Sequence, residues 1–167
     1  MSPDEGFVDY ARTAAPRLRR TAYLLCHDWH LAQDLTQTAL AKLFVHWGRI
    51  HRRDSPDAYA RKVLLRVFLD HQRRSSSHEV VVDRVADAPA PDGQAELRLT
   101  LIEALSRIPA RDRAILVLRY WEDQSIDTVA DLLGVSVPTV KTQSARGLSR
   151  LRSLLGADDA ELLALRD

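Results

Sequence analysis

Apolar residues along this chain recur at three- and four-residue spacings and almost never alternate, so the pattern predicts helices throughout. Val80–Val82 is the single short β-branched run. A first helix is expected from about Phe7 to Cys26, kinked or split at Pro16, which offers no N–H and crowds the preceding turn. A second is expected from about Trp29 to Val45, ending near Gly48, with Leu31, Leu35, Leu43 and Trp47 recurring near helical spacing. A loop rich in Arg and His, Gly48 to Ser55, follows. Ser55-Pro56 then reads as a helix start, the serine placed to cap and the proline in the first turn. The third helix is expected to reach about Arg74. It would bury Tyr59, Val63 and Val67 and carry Arg61, Lys62, Arg66, Arg73 and Arg74 elsewhere.

The periodicity stops at Ser75. Three serines, then Pro89, Pro91 and Gly93, with acidic residues between, offer too little apolar surface to fold alone, so 75–94 reads as a flexible acidic linker. Helices resume at about Ala95–Arg107, Ala110–Tyr120, Ser125–Leu133 and Ser136–Leu155, with breaks marked by Pro109 and Gly134. The expected architecture is all-α: two small helical domains, 1–74 and 95–155, joined by the linker and followed by an acidic tail, 156–167.

Charge adds a second division. The net charge of +1 hides strong segregation. Residues 1–74 hold 13 basic against 8 acidic side chains and residues 97–155 hold 9 against 6, whereas the linker and the tail are acidic. Two basic blocks separated by an acidic strip suit two surfaces that meet a polyanion, although solvated helix faces give the same count. No apolar run approaches bilayer length. The acidic start, Met1 to Gly6, lacks the basic-then-apolar order of a signal peptide, so a cytoplasmic protein without membrane insertion is expected. A single cysteine, Cys26, excludes an internal disulfide framework.

The most specific pattern is Ser125 to Arg152. Ile126, Val129, Ala130 and Leu133 face inward on one short helix, Gly134 makes a left-handed turn, and Ser136 caps the next helix. Val137, Val140, Leu148, Leu151 and Leu155 give that second helix its apolar stripe. This is the order of a helix-turn-helix. The second helix is expected to expose Thr139, Lys141, Thr142, Gln143 and Arg146 beside the capping Ser136. These side chains can donate to guanine or phosphate, pair with adenine, or adapt to either. Lys141, Thr142 and Gln143 are expected at base edges, with Arg146 nearer the phosphates.

The run Leu105-Ser-Arg-Ile-Pro-Ala-Arg-Asp-Arg-Ala-Ile-Leu-Val-Leu-Arg-Tyr120, with Trp121-Glu-Asp-Gln-Ser125, Ala130-Asp-Leu-Leu-Gly134 and Thr139-Val-Lys-Thr142, closely resembles region 4 of extracytoplasmic-function (ECF) sigma factors of the sigma-70 family. Gln143-Ser-Ala-Arg-Gly-Leu148 is similar to the actinobacterial sigma-E-like group. Ala32-Gln-Asp-Leu-Thr-Gln-Thr-Ala-Leu40 through Trp47 resembles region 2.2, and Pro56-Asp-Ala-Tyr59 through Asp70-His-Gln-Arg-Arg74 resembles regions 2.3 and 2.4. The blocks cover nearly the whole chain in the family's order. Three positions depart from it: Arg66 stands where Asn is usual, Ser144 where an aliphatic is usual, and Pro138 where Gly usually precedes Thr139.

The resemblance implies a non-catalytic subunit that binds core RNA polymerase and promoter DNA, needs no cofactor or metal, is monomeric when free and is open to control by an anti-sigma factor. It implies that Asp34, Leu35, Gln37 and Thr38 dock on the polymerase. It places Arg49, Arg52, Arg53, Arg61, Lys62, Arg66, Arg73 and Arg74 at the downstream (minus-ten) element. Ser136, Thr139, Lys141, Thr142, Gln143 and Arg146 fall at the upstream (minus-thirty-five) element.

Other signals carry less. Cys26, His27 and His30 lie close together, but no second ligand pair stands at a matching spacing for zinc. Cys26 reads as a small buried apolar residue. Tyr23, Phe44, Trp47, Tyr59, Phe68, Tyr120 and Trp121 fall on apolar faces and read as core. No phosphate loop or nucleophile elbow appears. The residues alone also allow a stand-alone helix-turn-helix regulator that binds duplex DNA as a dimer, though no heptad supplies a dimer seam. A module that only sequesters a partner is the third reading.

Overall fold

The computed structural model describes residues 3–53, 55–76 and 93–156, and among them all regular structure is helical. The chain divides into two compact units, Met1–Ala86 and Asp87–Asp167.

The first unit packs three long helices, α1 (Pro3–Cys26), α2 (Trp29–Arg53) and α3 (Pro56–Ser76), each against both others. Leu18, Ala22, Leu35, Leu43, Leu64 and Phe68 fill the space between them. Ala22, Ala32 and Ala60 are wholly enclosed, and their small side chains let the backbones approach. Asp28 caps α2: its Oδ1 accepts from the N–H groups of His30 (2.9 Å) and Leu31 (3.1 Å). Cys26 is buried as expected and its Sγ donates to the Asp28 carbonyl.

Pro16 does not split α1. The residue whose carbonyl it deprives of a partner is Arg12, one turn back on the exposed side, while Ala14 and Leu18 stay anchored in the core. Nor does α2 end at Gly48; it continues to Arg53, so most of the expected basic loop is helix. Trp47 and Ile50 are both buried, and packing of these flanking residues outweighs the weak helix preference of Gly48. On α3 the inward face is Ala60, Leu64, Leu65, Val67 and Phe68, whereas Tyr59 and Val63 are only half-buried. The expected face was therefore rotated away from the one observed, with Val67 common to both.

The N-terminal turns of α1 reach across to α2 and α3. Phe7 meets Phe44 and Trp47, with ring centroids 5.1 and 5.5 Å apart, and Tyr10 lies 5.2 Å from Trp47. The Tyr10 hydroxyl donates to Asp57 Oδ1 (2.9 Å), and Arg17 pairs with the same oxygen. The Arg17 hydrogen bond, ahead of that from Tyr10, holds the Asp57 carboxyl below its usual range. Burial, reinforced by Asp57, pushes the Tyr10 phenol up.

The second unit holds α4 (Gly93–Ser106), α5 (Ala110–Leu116), α6 (Ile126–Leu133) and α7 (Val137–Leu155). α5 runs on into a π-helical turn, Val117–Trp121, one residue beyond the expected end. There the Glu122 N–H donates to the Val117 carbonyl (2.9 Å), and Gln124 N–H to that of Leu118 (2.9 Å). Arg119 Nη1 closes the turn on the Gln124 carbonyl at 2.7 Å. This widened turn delivers the chain to Ser125, the cap of α6.

Arg113, only 4% exposed, pins the end of α4. Its Nη1 donates to the carbonyls of Leu105 (3.2 Å), Ser106 (3.5 Å) and Ile108 (3.0 Å). Ser106 closes α4, and Ile108 lies in the turn that follows; the Leu105 carbonyl also accepts from the Ile108 N–H (3.1 Å), so Arg113 ties the last turn of α4 to the link into α5.

Two of the seven aromatics expected in the core are well exposed, Phe44 at 49% and Trp121 at 45%. Phe44 still covers Phe7 with one face, and Trp121 ends the π turn. Of the expected linker, Ser75 and Ser76 finish α3 and Gly93 and Gln94 begin α4; the remainder lies outside the described residues, as does the acidic tail beyond Gly156.

Candidate nucleic-acid and polymerase interfaces

The helix-turn-helix is built as its sequence implies. Ser125 Oγ accepts from Thr128 N–H (3.1 Å) and opens α6, which buries Val129, Ala130 and Leu133 and half-buries Ile126. At its end Gly134 takes a φ of +65°, and the Val135 N–H closes on the Ala130 carbonyl (3.0 Å). Ser136 Oγ then accepts from Thr139 N–H (3.3 Å) and lies 2.8 Å from the Thr139 hydroxyl. Pro138 sits in the first turn of α7 and causes no break.

α7 buries Val140, Ser144, Gly147 and Leu151; Val137, Leu148 and Leu155, expected in the stripe, are half-buried. Ser144, where an aliphatic residue was expected for the family, is thus a core position. Gly147 was missed by sequence reasoning, which looked for large apolar side chains. A Cβ there would stand 3.3 Å from the Leu116 side chain, so glycine permits close approach of α5 and α7.

Opposite that buried face runs the exposed stripe Pro138, Lys141, Thr142, Ala145, Ser149 and Arg152. Lys141 and Thr142 project from it, the Thr142 hydroxyl donating back to the Pro138 carbonyl (3.0 Å). Thr139 and Gln143 lie at its margin and are half-buried. The Gln143 Oε1 is shielded from solvent and has no hydrogen-bond partner among the described residues. Arg146 is exposed but engaged: its Nε and Nη2 donate to the Asp112 carboxylate of α5 at 3.1–3.3 Å. Asp112 is itself 5% exposed. Sequence reasoning missed this pair because nothing in the spacing of residues 34 apart in the chain signals it.

In the first unit, Asp34, Gln37 and Thr38 occupy one exposed face of α2, at positions i, i+3 and i+4. Leu35, expected beside them in the docking set, is only 3% exposed and belongs to the core. Ala41 and Val45 extend the exposed face at the same helical spacing, and Val45 is 74% exposed. The signal for Val45 was available, eleven residues beyond Asp34 on the same stripe, but was lost when the helix was ended there.

The basic residues expected at the downstream element are spread more widely. Arg49 is exposed near the end of α2; Arg52 and Arg53 lie in its last turn, their side chains outside the described residues. On α3, Lys62, Arg66 and Arg73 follow one helical face, and Arg73 pairs with Asp70. Arg74 is exposed in the last turn. Arg61 is half-buried and directs its charge at the Asp57–Tyr10 pair instead.

Among the described residues no three His, Cys, Asp or Glu side chains gather as a metal site. None of the described helices is long and apolar enough to cross a membrane.

Comparison with known proteins covers both units. Residues 11–78 match the family described as Sigma-70 region 2, and residues 98–151 match Sigma-70, region 4. The RNA polymerase sigma-E factor of Streptomyces coelicolor is 36% identical over 161 residues, which cover 95% of this chain and 91% of that protein. The ECF RNA polymerase sigma factor SigM of Mycobacterium tuberculosis is 31% identical over 144 residues, 84% of this chain and 72% of its own length. Among solved structures, the sigma factor RpoE of Bartonella quintana, in complex with the anti-sigma factor NepR, superposes with a TM-score of 0.77 at 25% identity, covering 90% of this chain and 97% of that one. With both family regions matched in order and a capped helix-turn-helix in the second, the chain belongs to the ECF sigma factors of the sigma-70 family, non-catalytic subunits that direct RNA polymerase to specific promoters.

Proposed function

We propose that α7 reads the upstream promoter element as duplex through Lys141 and Thr142, flanked by Ser136 and Thr139. The exposed stripe of α7, opposite its buried face, carries this reading. It sets a point charge and a short hydroxyl side chain near the helix start, where helices entering a major groove meet base edges. Gln143 contributes after rotation of its amide, and Arg146 contacts a phosphate. Arg49, Arg52, Arg53, Lys62, Arg66, Arg73 and Arg74 form the downstream-element surface, where a basic face suits a strand leaving the duplex. Arg61 supports that surface from the Asp57 side.

Asp34, Gln37 and Thr38, with Ala41 and Val45, form the face that docks on core polymerase. An anti-sigma factor is the natural regulator, since the Bartonella quintana relative is seen bound to one. The chain acts in the cytoplasm, as a monomer until it joins the polymerase.

The groove assignment is tested with holoenzyme and single-base variants of an upstream element, recovered from a random duplex pool by the wild-type protein. Lys141→Ala should relax preference at one or two adjacent base pairs, losing about 1–3 kcal/mol against the preferred base only. An equal loss on every variant would remove Lys141 from the bases.

A further inference from the structure

Asp112 belongs to none of the surfaces assigned above, yet it is a nearly buried carboxylate and both its oxygens accept from Arg146. The Arg146 side chain is 61% exposed. Asp112 takes the edge formed by Nε and Nη2, with Nε donating to Oδ2 at 3.3 Å and Nη2 to Oδ1 and Oδ2 at 3.1 Å each. The guanidinium is planar and its donors are fixed in a fork, so engaging one edge fixes the direction of the other. Nη1 donates to neither oxygen of Asp112, so its donors lie on the side of the guanidinium away from the held edge.

The pair sits beside a close approach of α5 to α7. Asp112 lies one turn before Leu116 on α5, and Arg146 adjoins Gly147, whose missing side chain admits Leu116. The aspartate thus holds the arginine against a tightly packed seam rather than a mobile surface.

From this geometry we infer that Asp112 is a positioning residue for DNA binding: it orients Arg146 so that the Nη1 edge meets a phosphate beside the groove occupied by α7. The inference rests on the reading of α7 as the upstream-element helix. An unrestrained arginine must give up side-chain freedom when it meets a phosphate, and one already held by a carboxylate gives up less. The acid beside the phosphate would ordinarily repel it. Here its charge is met by two donors of the interposed arginine, which turns the like charge into an orienting contact.

The experiment uses the full chain assembled with core polymerase and an upstream-element duplex selected by the wild-type holoenzyme, with binding followed between roughly 50 and 200 mM salt. The variants are Asp112→Asn, Arg146→Ala and the double substitution, with Arg146→Lys as a second, exposed change. Thermal melting of each free chain runs in parallel. Arg146→Ala should flatten the slope of log affinity against log salt by about one counterion. Asp112→Asn should move the slope the same way and weaken binding about three- to tenfold on all base variants alike, although it removes a negative charge. In the Arg146→Ala background it should cost no further affinity and, with the acid's charge no longer met, should restore some. Arg146→Lys should lose affinity despite keeping its charge, because an ammonium cannot offer two edges.

A merely structural aspartate would lower the melting temperature and leave the salt slope alone, which overturns the positioning role. Tighter binding by Asp112→Asn alone, or additive losses in the double substitution, also overturns it. If Arg146→Ala leaves affinity and slope unchanged, the phosphate contact itself fails, and the role of Asp112 falls with it. A normal loss on Arg146→Ala with none on Asp112→Asn removes Asp112 alone.

Discussion

Asp34→Arg is expected to reduce retention of the chain by core RNA polymerase by about tenfold or more, with helicity and melting temperature unchanged. Asp34 is exposed on α2 and shares its face with Gln37 and Thr38, while the next residue, Leu35, is buried. Reversing the charge therefore alters the surface without entering the core. A like charge brought against a complementary basic patch costs several kcal/mol, and rim positions lose at least part of that. The measurement is co-purification with core polymerase, alongside circular dichroism of the free chain. Val45→Asp, farther along the stripe, should weaken retention in the same assay. Wild-type retention of both variants would move the docking surface away from this face of α2.

Arg113→Ala should destabilise the second unit by about 3 kcal/mol or more, since the carbonyls of Leu105, Ser106 and Ile108, at and just beyond the end of α4, lose a charged donor in a place where water enters poorly. For a unit of this size that corresponds to a fall in melting temperature of about 10–20 °C. Arg113→Lys should recover little of it, because one ammonium cannot reproduce a guanidinium fork. Upstream-element binding should fail in parallel with the loss of structure, and the first unit should keep its helicity. The check is thermal denaturation followed by circular dichroism and by tryptophan fluorescence, which has reporters in both units: Trp29 and Trp47 in the first, Trp121 in the second. A melting temperature within a few degrees of wild type would show that the α4 end is held by other contacts.

The helix-turn-helix was legible in the sequence because its signals are local. An apolar face, a glycine at positive φ and a serine cap follow within a dozen residues, and each was found where expected. The limits of α2 were less legible because a buried tryptophan and isoleucine carry the helix through Gly48, and tertiary packing of that kind leaves little local trace. The inward face of α3 was misjudged for a related reason. β-branched Val63 and aromatic Tyr59 looked like core, but the enclosed positions went to Ala60, Leu64 and Phe68, set by the neighbouring helices.

At the candidate sites, exposure was harder to read than residue type. Leu35 sits among three polar neighbours and is core; Val45 looked like a helix end and is among the exposed side chains of its face. Arg146 is exposed as expected, but its guanidinium is held by Asp112, a contact across 34 residues of sequence that no local pattern showed. Only the arrangement of α5 against α7 brings those two groups together, and Gly147 makes that arrangement possible.

The most direct measurement is run-off transcription with core RNA polymerase freed of other sigma factors, on a pool of genomic promoter fragments, with and without the full chain. A sigma factor predicts discrete transcripts that appear only when core enzyme and chain are both present, and that are lost with Asp34→Arg. Transcripts unchanged by adding the chain, together with specific binding of the chain alone to a palindromic duplex as a dimer, would contradict it.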